Sequence, residues 1–256
     1  MLLAIDIGNT SITFAVYIGE ALQANWSIAT DTRRTGDEYA ALIASLMVTR
    51  GLSLDDIDGV VVSSVVPTAI DALTSFSEKH LGISCPLVLT NEVDLGITIH
   101  YEPKSDVGAD RLANAVAAHA KHSGKVIIVD FGTATTLDAV SETGDYLGGA
   151  IAPGIQISVD ALISRAAKLT GVELTAPDRA IGQSTAGSLR SGILYGYAGQ
   201  VDALVDLFQH EMGGGAKVVA TGGLASLVVP YSRTIECCDE LLTLDGLRII
   251  YERCKH

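Results

Sequence analysis

Three short stretches of the chain combine residue types suited to phosphate chemistry. Asp6-Ile7-Gly8-Asn9-Thr10 and Asp130-Phe131-Gly132-Thr133-Ala134-Thr135 each place a carboxylate two residues before a glycine, with small or hydroxyl residues after it. A turn of that composition exposes backbone N–H groups and hydroxyls together, and such donors can surround phosphate oxygens. A carboxylate beside them repels phosphate unless a cation lies between. Asp6 therefore has the character of a Mg²⁺-side carboxylate, direct or through water. One Asp-x-Gly turn alone is an ordinary turn. Two, each after an apolar run and each opening a half-chain, point to a nucleotide triphosphate with one turn on either side.

The third stretch runs from Tyr101 to Arg111, with Pro103 and Gly108 enforcing a loop before a helix start. Asp110 then stands at a helix N-terminus, where the dipole favours its ionised form. An ionised carboxylate can accept a proton from a hydroxyl. Arg111 beside it offers a planar fork for a carboxylate. A capping acid followed by a solvated arginine reads these two residues equally well.

Other chemistries leave no mark. The only Lys-Ser pair, Lys104-Ser105, follows Pro103 rather than a glycine, so there is no Walker loop. A G-x-G-x-x-G after a strand, a G-x-S-x-G elbow and a protein-kinase signature set are also absent. His119 and His122 share a helical face without a third ligand near in sequence, which suits packing and surface better than a metal. The four cysteines, two of them the adjacent Cys237 and Cys238, lack disulfide-framework or metal-like spacing, as expected in a reducing cytoplasm.

These stretches need elements to position them. Met1–Ile5 and Val126–Val129 are apolar runs that lead into the two turns. Ile12–Tyr17 and Leu137–Val140 read as the strands that follow, closed by Gly19 and Gly144. The acids are 124 residues apart, nearly half of 256, so two copies of one α/β unit explain both the length and the repeat. Gly59–Ser64 and Lys217–Gly223 read as strands covered on both faces, each ending in small or hydroxyl residues. Tyr39, Leu42, Ile43, Leu46 and Met47 follow helical spacing behind a Thr35/Glu38 capping box. Further helices are expected from Asp110 to about His122 and from Ser188 to Met212. In the latter, Gly192, Gly196, Gly199 and Ala203 form a smooth stripe, which suits core packing more often than an interface. A hinge near 122–125 divides the chain into 1–122 and 123–256.

Composition narrows the partners. Apolar residues at 48% supply a core and exclude dominant disorder. A formal charge of −13 repels phosphate backbones and anionic lipid, so neither nucleic acid nor membrane is expected as a partner. No apolar run approaches the roughly 18 residues of a membrane span. Asp6, with no basic region before it, argues against a signal peptide.

The paired turns and Thr221-Gly222-Gly223 resemble the acetate and sugar kinase, Hsp70 and actin superfamily, in which two ribonuclease-H-like domains close on ATP. The resemblance sharpens at Val107-Gly108-Ala109-Asp110-Arg111-Leu112-Ala113-Asn114, which is similar to the signature of type III pantothenate kinases. Gly148–Ile155, Ile181–Thr185, Ser191-Gly192 and Leu242–Leu247 match further segments of that family in order. The resemblance implies an α/β fold of two ribonuclease-H-like, actin-like ATPase domains with an ATP cleft between them. It implies ATP-dependent phosphorylation of pantothenate at its terminal hydroxyl, the first step toward coenzyme A.

Carried over residue by residue, Asp110 is the general base. Tyr101, Gly108, Ala109, Arg111 and Thr185 bind pantothenate. Asp6, Ile7, Gly8, Asn9, Thr10, Ser11, Ile12, Thr13 and Thr133 bind the nucleotide. Asp6 faces Mg²⁺, and Asp130 resembles the residue that holds a monovalent cation, K⁺ or NH₄⁺. The family also implies a homodimer. Two departures stand out: Pro103-Lys104 replace an Asn-Pro pair common in the family, and the 167–173 segment lacks a proline. Rival readings are a superfamily kinase with another acceptor, such as a sugar, and a regulator that keeps the fold but has lost the base.

Overall fold

Leu2–Ile7 (β1) is an unbroken apolar strand up to Asp6, and its alternate residues Leu3, Ile5 and Ile7 enter one core. It pairs antiparallel with Ser11–Ile18 (β2), which pairs with Ala21–Ala29 (β3). The structure, a computed structural model, describes residues 1–166 and 172–255. Segment 167–171, part of the stretch with the missing proline, lies outside them. After Gly36–Val48 (α1) comes Gly59–Ser64 (β4), parallel to β1. Pro67–Leu81 (α2) leads to Leu87–Val88 (β5), parallel to β4, and the sheet order is β3-β2-β1-β4-β5. The capping box at the start of α1 is present: Thr35 accepts from the Glu38 N–H, and Glu38 accepts from that of Thr35.

Ala109–Lys121 (α3) precedes Val126–Phe131 (β6), Ala134–Val140 (β7) and Tyr146–Pro153 (β8). Ile155–Arg165 (α4) and Thr185–Glu211 (α5) follow, then Lys217–Thr221 (β9), Ala225–Val228 (α6), Cys237–Cys238 (β10) and Leu242–Cys254 (α7). The second sheet is ordered β10-β9-β6-β7-β8, which is the first sheet's pattern of two antiparallel and two parallel pairings repeated. Even the irregularities match. β2 carries a register shift at Val16/Tyr17, and β7 carries one at Ala139/Val140. The duplication read from the two turns thus extends through the whole of each sheet. This repeated topology is that of a two-domain α/β fold with ribonuclease-H-like halves.

The chain forms two compact units, Met1–Ala117 with Leu242–His256, and Ala118–Leu241. A cut at 122/123 assigns the last helix to the second half, whereas α7 packs on the first. Its Tyr251 ring fills the space beside Gly59, where a Cβ would fall 2.0 Å from the phenol oxygen. Tyr17 Oη donates to Asp245 at 2.8 Å, and Gly246 lets α7 approach the backbone of Ala113 in α3. That close backbone approach explains a glycine inside a helix, where it otherwise costs about 1 kcal/mol.

Within the first unit, Ile12, Phe14, Val60 and Val62 join β1's odd residues against α1 and α2. Within the second, Ile127, Val129, Phe131, Leu137 and Val218 pack with Leu194, Ala198, Val201 and Val205 of α5. Strand parity then sends the neighbouring residues to the opposite face of each sheet. The smooth stripe on α5 departs from the core placement its composition favours. Gly192, Gly196, Gly199 and Ala203 are exposed, and a Cβ at any of the three glycines would meet nothing within 4 Å. The helix buries the opposite face, so its small residues face outward. The helix also begins earlier than Ser188, because Ser184 caps it by accepting from the Gly187 N–H at 3.0 Å.

Candidate active site

The first turn is a tight hairpin between β1 and β2. Gly8 N–H donates to Ser11 O at 2.9 Å, and a Cβ on Gly8 would stand 3.1 Å from that same oxygen. Thr30 holds the turn from behind: its hydroxyl donates to Gly8 O at 2.7 Å and its N–H to Thr10 O at 3.0 Å. Asn9, Thr10 and Ser11 are left exposed at the tip, with Asp6, Gly8 and Thr13 half-buried beneath. Ile7 and Ile12 are fully buried in the core, so only their main-chain atoms can reach a ligand.

Strand pairing sets what surrounds the acid. Asp6 is registered with Thr13 on β2 and with Ser63 on β4. Asp130 is registered with Thr136 on β7 and with Thr221 on β9. Each acid is thus flanked by two hydroxyl residues on the face away from its unit's core. Sequence reading missed Ser63 and the flanking roles of Thr136 and Thr221. For Ser63 and Thr221 the only trace was that Gly59–Ser64 and Lys217–Gly223 end in small or hydroxyl residues, while Thr136 lay in the second turn itself.

The second turn is tighter by one residue and is built on glycines. Gly132 N–H donates to Ala134 O at 3.0 Å. A Cβ on Gly154 would fall 2.0 Å from Thr133 O, so the start of α4 lies directly on the turn. Gly222, with φ +91°, faces Asp130: a Cβ there would stand 2.4 Å from Oδ1. Gly132 leaves similar room, at 3.3 Å. The structure therefore brings Asp130, Thr133, Gly154 and Gly222 together, with the Asp130 carboxylate packed against the bare α-carbon of Gly222.

Asp110 lies in the first turn of α3, half-buried, and its Oδ1 accepts from the Arg111 N–H at 2.9 Å. Arg111 is not the solvated side chain of the alternative reading. It is 6% exposed and engaged by neighbouring groups. An anion that reaches a guanidinium in so dry a setting is held more strongly than at a surface. Gly108 and Ala109 are half-buried just before Asp110. Tyr101 is half-buried upstream, ahead of the cis Glu102–Pro103 peptide and a single 3₁₀ turn at Lys104–Asp106. Buried Val107 anchors the end of that loop.

Thr185 is the first residue of α5. With Gly182, Gln183, Ser184, Ser188 and Leu189 it lines a depression of about 570 Å³. His119 packs its ring against Gly144, where a Cβ would fall 2.5 Å away. Among the described residues no group of three or more His, Cys, Asp or Glu side chains is placed to hold a metal. No described helix is long and apolar enough to cross a membrane.

Residues 2–207 match the family model of type III pantothenate kinase. The type III pantothenate kinase of Moorella thermoacetica is 51% identical over 99% of both chains. Two solved structures share the fold at low identity. A conserved putative Baf family transcriptional activator from Campylobacter jejuni superposes with TM-score 0.59 at 20% identity, covering 98% of each chain. A putative 2-dehydro-3-deoxygalactonokinase from Sinorhizobium meliloti gives 0.58 at 11%, over 99% of this chain and 96% of that one.

Proposed function

The chain belongs to the type III pantothenate kinase family, and from that premise we propose how its residues move a phosphoryl group from ATP to pantothenate. Asp110 accepts the proton of the terminal hydroxyl as that oxygen bonds to the γ-phosphorus and the bond to the β-phosphate oxygen breaks. Phosphopantothenate and ADP result, and the step feeds coenzyme A synthesis. The observation that carries this reading is the Asp110 carboxylate, fixed at the start of α3 by the Arg111 N–H in space that Gly108 leaves open. Arg111 takes the pantothenate carboxylate, and Tyr101, Gly108, Ala109 and Thr185 line the acceptor.

The hairpin from Asp6 to Thr13, with Thr133 of the second turn, holds the nucleotide. Its exposed tip offers Asn9, Thr10 and Ser11, while Ile7 and Ile12 contribute main chain. Asp6, with hydroxyl residues on either side, suits Mg²⁺, a small hard ion that takes most of its ligands from phosphate and water. When bound, Mg²⁺ offsets the charge of the phosphates and of the oxygens that gain charge during transfer. Asp130, registered with Thr136 and Thr221 at the second turn, is the residue we assign to a monovalent cation, K⁺ or NH₄⁺. Catalysis on this reading is positioning and charge neutralisation, without a covalent enzyme intermediate.

The enzyme works in the cytoplasm as a homodimer. The outward small-residue face of α5 supports the dimer, since it admits a second helix at close range. Light scattering at micromolar protein should give about twice the chain mass of 26.7 kDa; a single-chain mass would reject the dimer. The activity itself is tested with ATP, Mg²⁺, K⁺ and pantothenate, scored for phosphopantothenate. Turnover of a sugar hydroxyl in its place would move the assignment to another acceptor.

A further inference from the structure

Ser63 is fully buried, yet its hydroxyl has no hydrogen-bond partner among the described residues. Its neighbour Ser64 shows the contrast: that hydroxyl donates to Val66 O and accepts from Val66 N–H, both at 2.9 Å. An unpaired buried hydroxyl has lost its water without gaining a partner and is costly, so its place needs a reason. Ser63 sits at the end of β4 in register with Asp6 on parallel β1, on the sheet face opposite the core that takes Val60 and Val62. Adjacent strands lie about 4.8 Å apart, so the two side chains stand side by side on that face. The same position in the second sheet holds Thr221 beside Asp130.

We propose that Ser63 is a positioning residue of the divalent-cation site: its hydroxyl pairs with a water of the hydrated cation that accompanies the nucleotide at Asp6. The proposal rests on the reading of Asp6 as the cation-side carboxylate. Outer hydrogen-bond partners of this kind orient the ligands of a metal, and losing one typically costs roughly 10–100-fold in metal affinity.

The test uses the full chain with ADP, and Mn²⁺ as a paramagnetic probe of bound metal. Ser63→Ala is expected to melt at the same temperature as the wild type or slightly above it when unliganded, since an orphan hydroxyl has been removed. It should bind metal-free ADP unchanged, and bind Mn²⁺ in the presence of ADP about tenfold more weakly. Unchanged Mn²⁺ affinity with a lowered melting temperature would instead mark Ser63 as the partner of a structural water and overturn the proposal. Equal weakening of metal-free ADP and of Mn²⁺ would overturn it as well, because the loss would then lie in nucleotide binding. Asp6→Asn is the control. If it leaves Mn²⁺ affinity intact, the reading of Asp6 fails. If it abolishes Mn²⁺ binding while Ser63→Ala does not weaken it, only the Ser63 proposal fails.

Discussion

A Cβ built on Gly108 would stand 2.4 Å from Oδ1 of Asp110, so the carboxylate keeps its place only because residue 108 has no side chain. That relationship makes two variants informative together. Asp110→Asn keeps the shape and loses the charge. Turnover should fall by roughly 10²–10⁴, about 3–5 kcal/mol of transition-state stabilisation, with folding and ATP binding retained. Gly108→Ala should lower turnover by displacing the same group, with ATP affinity intact. Normal turnover in Asp110→Asn would make Asp110 a cap and place the base elsewhere.

Arg111 should act on binding before chemistry. Arg111→Ala is expected to raise the pantothenate KM with a smaller change in kcat, the signature of a contact made equally in ground and transition states. Arg111→Lys keeps the charge but not the fork, and should fall between wild type and alanine. Steady-state kinetics at saturating ATP separates the three. A kcat loss with unchanged KM would contradict the assignment.

Asp130 should confer a monovalent-cation response. Activity should rise with K⁺ or NH₄⁺ relative to Na⁺ at matched ionic strength, and Asp130→Ala should blunt that rise as well as the rate. Gly222→Ala sets a methyl group 2.4 Å from Asp130 Oδ1 at φ +91°, and should weaken the same response. Equal rates in Na⁺ and K⁺ for the wild type would remove the cation from this place.

Asp202 gives a pH prediction away from the chemistry. Burial alone would raise its pKa, but hydrogen bonds from the Ser232 and Thr234 hydroxyls and from the Arg233 and Thr234 N–H groups hold it below the ordinary 3.8. A depressed carboxylate contributes stability that is full above its unfolded value and is lost as pH falls through the folded one. Acid unfolding should therefore steepen below about pH 3.8, and Asp202→Asn should flatten that limb while lowering stability at neutral pH. Urea titrations at a series of acidic pH values measure both.

Features that a few neighbouring residues determine were open to sequence reading. The Asp-x-Gly turns, the Thr35/Glu38 box and the glycine stops at Gly19 and Gly144 are of this kind. Two apolar runs leading into similar turns exposed the duplication, because apolar strands with matching turns are visible locally. The flanking of Asp6 by Ser63 was not legible. It depends on which strand pairs with β1, and on a register between residues 57 positions apart. The outward face of α5 was hidden for a related reason: a glycine stripe has the same spacing whether it meets a neighbour or solvent. The placement of α7 turned on a close contact, Gly246 against Ala113, that only the folded chain creates.

That return of α7 bears on how the molecule is made. Residues 1–117 leave the ribosome before 118–241, but their sheet lacks the helix that covers one of its faces until 242–254 have followed. The later-synthesised unit, 118–241, is continuous in the chain and can complete its own core before then. For the time that roughly 120 residues take to be translated, at roughly 5–20 residues per second, the nascent first sheet exposes the side bearing Asp6 and Ser63. Chaperone capture during synthesis, and sensitivity to truncation after residue 241, are thus concentrated on the unit that is translated before the other.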